Sequence, residues 1–429
     1  MGINSTSGKI ILLIGYIYYP SSDVGARRLF NFKKYLNKLG HQVTLLTVSA
    51  NQCSNIDPKL QAKEIEHDVI RTKSFGPINV PRRRKDESIW DGLTRRIRFL
   101  MNSIASGLLV PDVHIGWAPY AISSALTLAR TQKFDVVIST AKPWSDLVIG
   151  DRIATALGLP HIMDYRDPWT AYPQTKFPSR LNRYISQKIE IGLIARAKYI
   201  IVNTEAAREI FIQAFTMAPA TKFHVVRNGF DQDLANLLLP DAHLPSNERI
   251  FTLLHTGSFY GGRNIQNLSK AIRKLSDLEF ICPENFKVIS YGPLMGLDRR
   301  LVDELGLTEF FEIHDFVSYG ESLTLLAASS MSLLVVGDDH GPMIPAKFFD
   351  YLMVGRPVFC IGPKISEVKS IIEAESRGIC VDISDSENIF NGLLLALAGH
   401  RSGATRLKLT LLDRYSIERQ VLLLSKLIE

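Results

Sequence analysis

The residue types and spacings that could do chemistry fall in a few short stretches. Lys347 and Asp350 stand three residues apart, one turn along the same side of a helix that starts near Pro345. Unpaired backbone N–H groups at a helix start already favour an anion, and Lys347 adds a cation there. A cation beside phosphates and a carboxylate beside ribose hydroxyls is a sensible way to hold a sugar nucleotide. The same spacing also describes a capped amphipathic helix with two solvated charges. A second stretch is Thr256-Gly257-Ser258-Phe259-Tyr260-Gly261-Gly262-Arg263-Asn264. Its glycines let backbone N–H groups approach phosphate, and Arg263 can neutralise charge, although a flexible turn has a similar composition.

The third stretch is Asp164-Tyr165-Arg166-Asp167-Pro168-Trp169. Two carboxylates, a guanidinium and an indole at a strand end are poor core material and good active-site material. The plainer reading is an Arg–Asp pair that fixes a loop. Gly25 is the fourth candidate, at the start of a helix that carries Arg27 and Arg28. There it either lets backbone approach a phosphate or an acceptor, or serves a loop-to-helix turn; the arginines either point at a ligand or lie on the surface. Asp338-Asp339-His340 could hold a metal in principle, but no further ligand is in view and no metal is expected.

Aiming these groups takes a particular set of elements. Residues 9–15 form an apolar, buried-type strand that stops at a long loop, residues 16–25. Leu29, Phe32, Leu36 and Leu39 then recur at helical spacing, Gly40 closes the helix, and residues 42–48 are the next strand. No Gly-x-Gly-x-x-Gly follows the first strand, which disfavours a dinucleotide-dependent dehydrogenase. Strands at 135–139 and 160–163 deliver the loop 140–144 and the Asp164 stretch at their carboxyl ends, where open parallel sheets bind ligands. Further strands at 198–203 and 223–226 end this half. Residues 239–249, with two prolines and polar residues, are the linker candidate.

The βα alternation restarts at 250–255, so a second Rossmann-like domain is expected. Its strands at 286–290, 312–316 and 331–336 lead to the Lys347 helix, where Phe348, Phe349, Leu352 and Met353 supply an apolar face and Gly355 ends the run. The expected fold class is α/β, with domains at 1–232 and 233–405 and a terminal helix at 406–429. Among the irregular residues between the elements of the first half, Arg82, Arg83, Arg84 and Lys85 are followed by Arg95, Arg96 and Arg98 on a helix. Trp90, Leu93, Ile97, Leu100 and Met101 give that helix an apolar side. Residues 81–101 therefore suit either an anionic membrane surface or a cover over the domain's own sheet.

A chain of 429 residues is long enough for two cores, and 46% hydrophobic and 22% charged residues are ordinary for a globular protein. The net charge of +7 suits acidic partners but is too dilute to signal nucleic acid. Cys53, Cys282, Cys360 and Cys380 form no C-x-x-C pair, which argues against zinc and a disulfide framework and fits a cytoplasmic chain. Neither a signal peptide nor a membrane-spanning run is read from the sequence.

The run Pro-x-Lys-x-x-acid-Tyr-Leu-x-x-Gly-x-Pro-Val over residues 345–358 resembles the donor-site helix of GT-B glycosyltransferases, in particular the family 4-like group. Tyr-Tyr-Pro with Gly-x-Arg-Arg near the start, Ser-Thr-x-x-Pro-x-Ser at 139–145 and the Asp164 stretch resemble that group's N-terminal domain. The resemblance implies two Rossmann-like domains with parallel sheets facing across a cleft. It also implies a retaining, metal-independent transfer of sugar from a nucleotide-diphosphate sugar, with no cofactor. Lys347, Gly257 and Arg263 would contact the donor diphosphate, Asp350 its ribose, and backbone near Val317 its base. The family usually has Glu where Asp350 stands, and its second acid falls on Pro342 here. Asp164 or Asp167 would position or deprotonate an acceptor hydroxyl, with Arg166 as orienting partner and Gly25 and Arg28 beside them.

The implied partners are a nucleotide sugar and a glycan or lipid-linked acceptor. The implied setting is cell-surface polysaccharide or glycolipid synthesis at the inner face of a membrane. A GT-B sugar-nucleotide 2-epimerase and a non-catalytic homologue that binds a nucleotide or a partner are the alternatives.

Overall fold

The structure, a computed structural model, describes residues 8–53, 56, 68–76, 88–238, 250–259, 262–294, 296–338, 341–402 and 413–429. Two compact units emerge, one of residues 1–227 with 420–429 and the other of residues 228–419. The first contains strands β1 (Ile10–Ile14), β2 (Gln42–Val48), β3 (Val69–Thr72), β4 (Val136–Ala141), β5 (His161–Tyr165), β6 (Tyr199–Val202) and β7 (Phe223–Val225). Its main helices are α1 (Val24–Lys38), α2 (Ile89–Leu108), α3 (Ala118–Leu128), α4 (Ser145–Leu157), α5 (Arg180–Arg196) and α6 (Glu205–Ala214).

The second unit contains β8 (Phe251–Thr256), β9 (Phe286–Tyr291), β10 (Phe311–His314), β11 (Met331–Val335), β12 (Val358–Gly362) and β13 (Gly378–Asp382). With them run α7 (Gln232–Leu238), α8 (Gln266–Asp277), α9 (Gly296–Glu304), α10 (Tyr319–Ala328), α11 (Ala346–Met353), α12 (Glu367–Ala374) and α13 (Ser386–Arg401). The last helix, α14 (Ile417–Ile428), carries the chain from the second unit's residues back into the first's.

All strand pairs are parallel, in the order β3-β2-β1-β4-β5-β6-β7 in the first unit and β10-β9-β8-β11-β12-β13 in the second. The central strands read as unbroken apolar runs, such as Ile-Ile-Leu-Leu-Ile in β1, because helices cover both faces of a parallel sheet. In both units the strand order reverses beside the first strand, between β1 and β4 and between β8 and β11. Ligands bind such sheets outside the carboxyl ends of those strands.

Two boundaries differ from expectation in a way that matters. β4 runs on through Thr140 and Ala141, and β5 through Asp164 and Tyr165, with Thr140 opposite Asp164 and Ala141 opposite Tyr165. Polar residues extend these strands because side chains from elsewhere in the fold satisfy them. Leu39, expected on the buried side of α1, is instead the helix C-cap and 38% exposed. Gly40 follows at φ +91°, the left-handed conformation that ends a helix.

The α2 stripe does not cover the sheet. Leu93 is 47% exposed, Ile97 50%, Leu100 60% and Met101 51%. Residues 81–87, with the basic cluster, lie outside the described residues, as does the linker candidate 239–249. No helix among the described residues is long and apolar enough to cross a membrane.

Candidate functional site

In the second unit, β8 delivers His255 and Thr256 to the reversal point, and Gly257 starts the following loop at φ +105°. Gly257 N–H donates to Tyr291 O, and a Cβ on Gly292 would come within 2.3 Å of Gly257 O, so two backbones nearly touch. A Cβ on Gly257 would lie 2.9 Å from Lys347 Nζ. Glycine is required there both for its dihedral and for the lysine that crosses it.

Lys347 sits in the first turn of α11, whose N-cap, Pro345, gives no side-chain cap to the helix N–H groups. Its ammonium donates to Thr256 O at 2.7 Å and lies 3.3 Å from His255 Nε2. His255 is 2% exposed, its Nδ1 lies 2.9 Å from Leu333 O, and its ring stacks on Phe259 at 4.1 Å between centroids. Since a carbonyl only accepts, Nδ1 carries the proton, and the lone pair on Nε2 faces the lysine. Burial, then the positive charges of Lys347 and Arg263, hold His255 well below its ordinary pKa and keep it neutral. Burial and Arg263 likewise push Lys347 down to about 7, with Asp350 acting in the other direction. Among the described residues no acid forms a salt bridge with Lys347, a desolvated amine at a helix start whose N-cap gives no side-chain hydrogen bond. An entering diphosphate would restore its charge.

Tyr351 ties the site together. Its hydroxyl accepts from Thr256 N and donates to Leu333 O, both at 3.3 Å, linking β8, β11 and α11. Asp350 is buried, and Oδ1 accepts from Tyr319 Oη at 2.6 Å. Arg263 is half-buried in the loop after β8, and Val317 is half-buried in the loop after β10. The second unit thus brings Gly257, Lys347 and Asp350 to one reversal point, with Arg263 near enough for its charge to act on Lys347. Tyr260, Gly261, Asp339 and His340 lie outside the described residues. Among the described residues no group of His, Cys, Asp and Glu side chains could hold a metal ion.

The first unit rearranges its expected constellation. Arg28, 3% exposed, is neither a surface charge nor a group aimed at a ligand. Its Nε and Nη2 grip Asp164 Oδ2 and Oδ1 at 2.8 and 2.7 Å, and Nη2 also donates to Val226 O at 2.9 Å. Thr140 Oγ1 donates to the same carboxylate, and Asp164 is fully buried. This enclosed carboxylate has the geometry of the plainer reading, an Arg–Asp pair, with Arg28 rather than Arg166 as its partner.

Arg166 donates to Ala141 O and Lys142 O, both at 2.7 Å, and burial lowers its pKa against the pull of Asp167 and Asp164. Its Nη1 lies 2.4 Å from where a Cβ on Gly25 would stand, so this glycine makes room for the guanidinium. Asp167 pairs with Lys142 at 3.1 Å and its side chain is 35% exposed, which makes it the accessible acid of the two. Trp169 is core, fully buried and stacked on Trp144 at 5.3 Å.

Reading by residue type missed His255, Tyr319 and Tyr351. A polar residue closing the apolar run of β8 was the available signal for His255; nothing local marked the two tyrosines.

Residues 25–229 match the model of the glycosyl transferase 4-like domain. A search of curated proteins finds no match. Among solved structures, a sucrose-phosphate synthase from Thermosynechococcus elongatus superposes with a TM-score of 0.65 at 16% identity, over 98% of each chain. HepE of Anabaena, solved with UDP, gives 0.62 at 14% identity, over 97% of this chain and 98% of that one. The catalytic domain of starch synthase IV from Arabidopsis thaliana, bound to ADP and acarbose, gives 0.59 at 12%, over 98% and 99%. At these identities the likeness is one of fold. Residues 25–229 thus match a glycosyl transferase 4-like domain, in a chain of GT-B fold.

Proposed function

We propose that the protein is a glycosyltransferase that moves a sugar from a nucleotide-diphosphate sugar, held on its second unit, to a glycan or lipid-linked acceptor. One observation carries the reading: Lys347, desolvated beside His255 at the uncapped start of α11, directly over Gly257. Lys347, Arg263 and the helix N-terminus would hold the diphosphate, Asp350 the ribose, and backbone around Val317 the base. As the glycosidic bond breaks, charge develops on the departing diphosphate, and fixed positive groups stabilise it there most. That charge is what a divalent metal supplies in other transferases, which supports a metal-independent reaction. Retention of configuration rests on the resemblance of residues 345–358 alone. On the first unit Asp167 would act on an acceptor hydroxyl, a role its 35% exposure beside Lys142 supports.

The exposed apolar side of α2, with Arg95, Arg96 and Arg98 on the same helix, supports a peripheral position on an anionic membrane surface. A lipid-linked acceptor, a cytoplasmic location at the inner face and a role in polysaccharide or glycolipid synthesis would follow from it.

Thermal unfolding with UDP, GDP and ADP tests the donor site; the neighbours solved with UDP and ADP put those two first. One nucleotide at a hundredfold excess over its dissociation constant should stabilise the wild type by about 2.7 kcal/mol. Lys347→Ala should abolish that shift. No response to any of the three in a well-folded protein would sink the reading. A new sugar nucleotide formed without acceptor would favour the epimerase alternative.

A further inference from the structure

Asp350 is one methylene shorter than the glutamate the resemblance leads one to expect, and it is buried rather than reaching outward. A shorter, buried carboxylate contacts a ribose only if something fixes its rotamer. Tyr319 does so. It is the first residue of α10, two positions beyond Val317, and its hydroxyl donates to Asp350 Oδ1 at 2.6 Å. The phenol therefore joins the loop that follows β10 to the carboxylate on α11. A bond of that length to one oxygen restrains the rotamer of the carboxylate.

We propose that Tyr319 is a positioning residue of the donor site: it aims Asp350 at the ribose hydroxyls of the nucleotide and so sets the enzyme's preference for ribonucleotide over deoxyribonucleotide donors. The proposal rests on the donor reading above and adds to it a determinant that residues 345–358 do not contain. Without the phenol, the carboxylate loses this restraint, and the contact weakened is the one to the sugar hydroxyls. Contacts to diphosphate and base, which come from Lys347, Arg263 and the Val317 backbone, remain.

The test is titration calorimetry of the wild type, Tyr319→Phe and Asp350→Ala with UDP, GDP and ADP and with their 2′-deoxy and 3′-deoxy counterparts. The readout is the ratio of ribo to deoxy affinity for whichever base binds. The wild type should favour the ribo form about tenfold over at least one deoxy form, as one strong hydrogen bond would give. Tyr319→Phe should cut that ratio to about threefold, by weakening the ribo form while leaving the deoxy form unchanged. Asp350→Ala should bring the ratio to about one. Equal weakening of both forms in Tyr319→Phe, with its melting temperature unchanged, would make the tyrosine merely structural and overturn the proposal. An unchanged ratio would overturn it as well. If the wild type binds none of the diphosphates, the donor reading itself has failed; binding with a ratio insensitive to Tyr319 leaves that reading intact and removes only the tyrosine's role.

Discussion

At the scale of single residues, the two acids of the Asp164 stretch differ in setting: Asp164 is fully buried in an ion pair with Arg28, and Asp167 is partly exposed. Asp164 neutralises Arg28 in the core, and removing one partner of a buried pair costs about 3–5 kcal/mol because the other charge is left unpaired. Asp164→Asn should therefore lower the melting temperature markedly. Asp167→Asn, at a side chain 35% exposed, should leave stability within about 0.5 kcal/mol while reducing transfer to acceptor. Parallel melting and activity measurements decide it; an inactive, stable Asp164→Asn would reverse the assignment. The sequence could not make this distinction, because the partner of Asp164 lies 136 positions away. Lys347 carries a second prediction. Its pKa, lowered to about 7, means that the side chain is half charged near that pH and loses the rest of its charge as the pH rises further. A phosphoryl group with a second pKa near 6 has shed its last proton by pH 7.5. Diphosphate affinity should consequently weaken between pH 7.5 and 9, by at most about tenfold per unit. His255, held well below its ordinary value by burial and by Lys347, is neutral throughout. Lys347→Arg, which stays charged, should flatten the profile in calorimetric titrations. An equally steep profile in that variant would assign the dependence to another group.

At the scale of elements, most of the scaffold was legible because parallel strands buried on both faces announce themselves as apolar runs, and Gly40 and Gly355 mark helix ends at positive φ. What could not be read were features that depend on pairing between elements. β5 continues through Asp164 because α1 and β4 supply Arg28 and Thr140, and the site in the second unit is braced by Tyr351 and Tyr319 across two strands and two helices. The fate of α2 was also open in the sequence: an amphipathic helix can turn its apolar side to a sheet or to a lipid surface. With Leu93, Ile97, Leu100 and Met101 each about half exposed, the element has apolar area left to bury. Sedimentation with vesicles should show binding to phosphatidylserine-containing membranes and little to neutral phosphatidylcholine. Leu93→Glu combined with Leu100→Glu should cut that binding at least tenfold, with the melting temperature unchanged. Retained binding in the double variant would free α2 from this role.

At the scale of the whole molecule, both units use one strand order, and each presents its loops at a reversal point, yet the two have been fitted out differently. At the second unit's reversal point stand a lysine at an uncapped helix start, an arginine near enough to perturb it and a glycine that keeps backbone exposed. At the first unit's, the start of α4 is already occupied, since Asp112 accepts from Trp144 N, Ser145 N and Ser145 Oγ. An anion entering there would meet a carboxylate, not open N–H groups. The asymmetry predicts where a nucleoside diphosphate binds when both sheets could in principle accept one. Amide hydrogen exchange with UDP, or with whichever diphosphate proves to bind, should show protection in peptides covering residues 256–264, 315–321 and 345–353. Peptides covering residues 139–146 should exchange as in the free protein, because their N–H groups already have a protein acceptor. Protection confined to residues 139–146 would move the donor to the first unit, and the lowered pKa of Lys347 would then be a property of the core and not of a binding site.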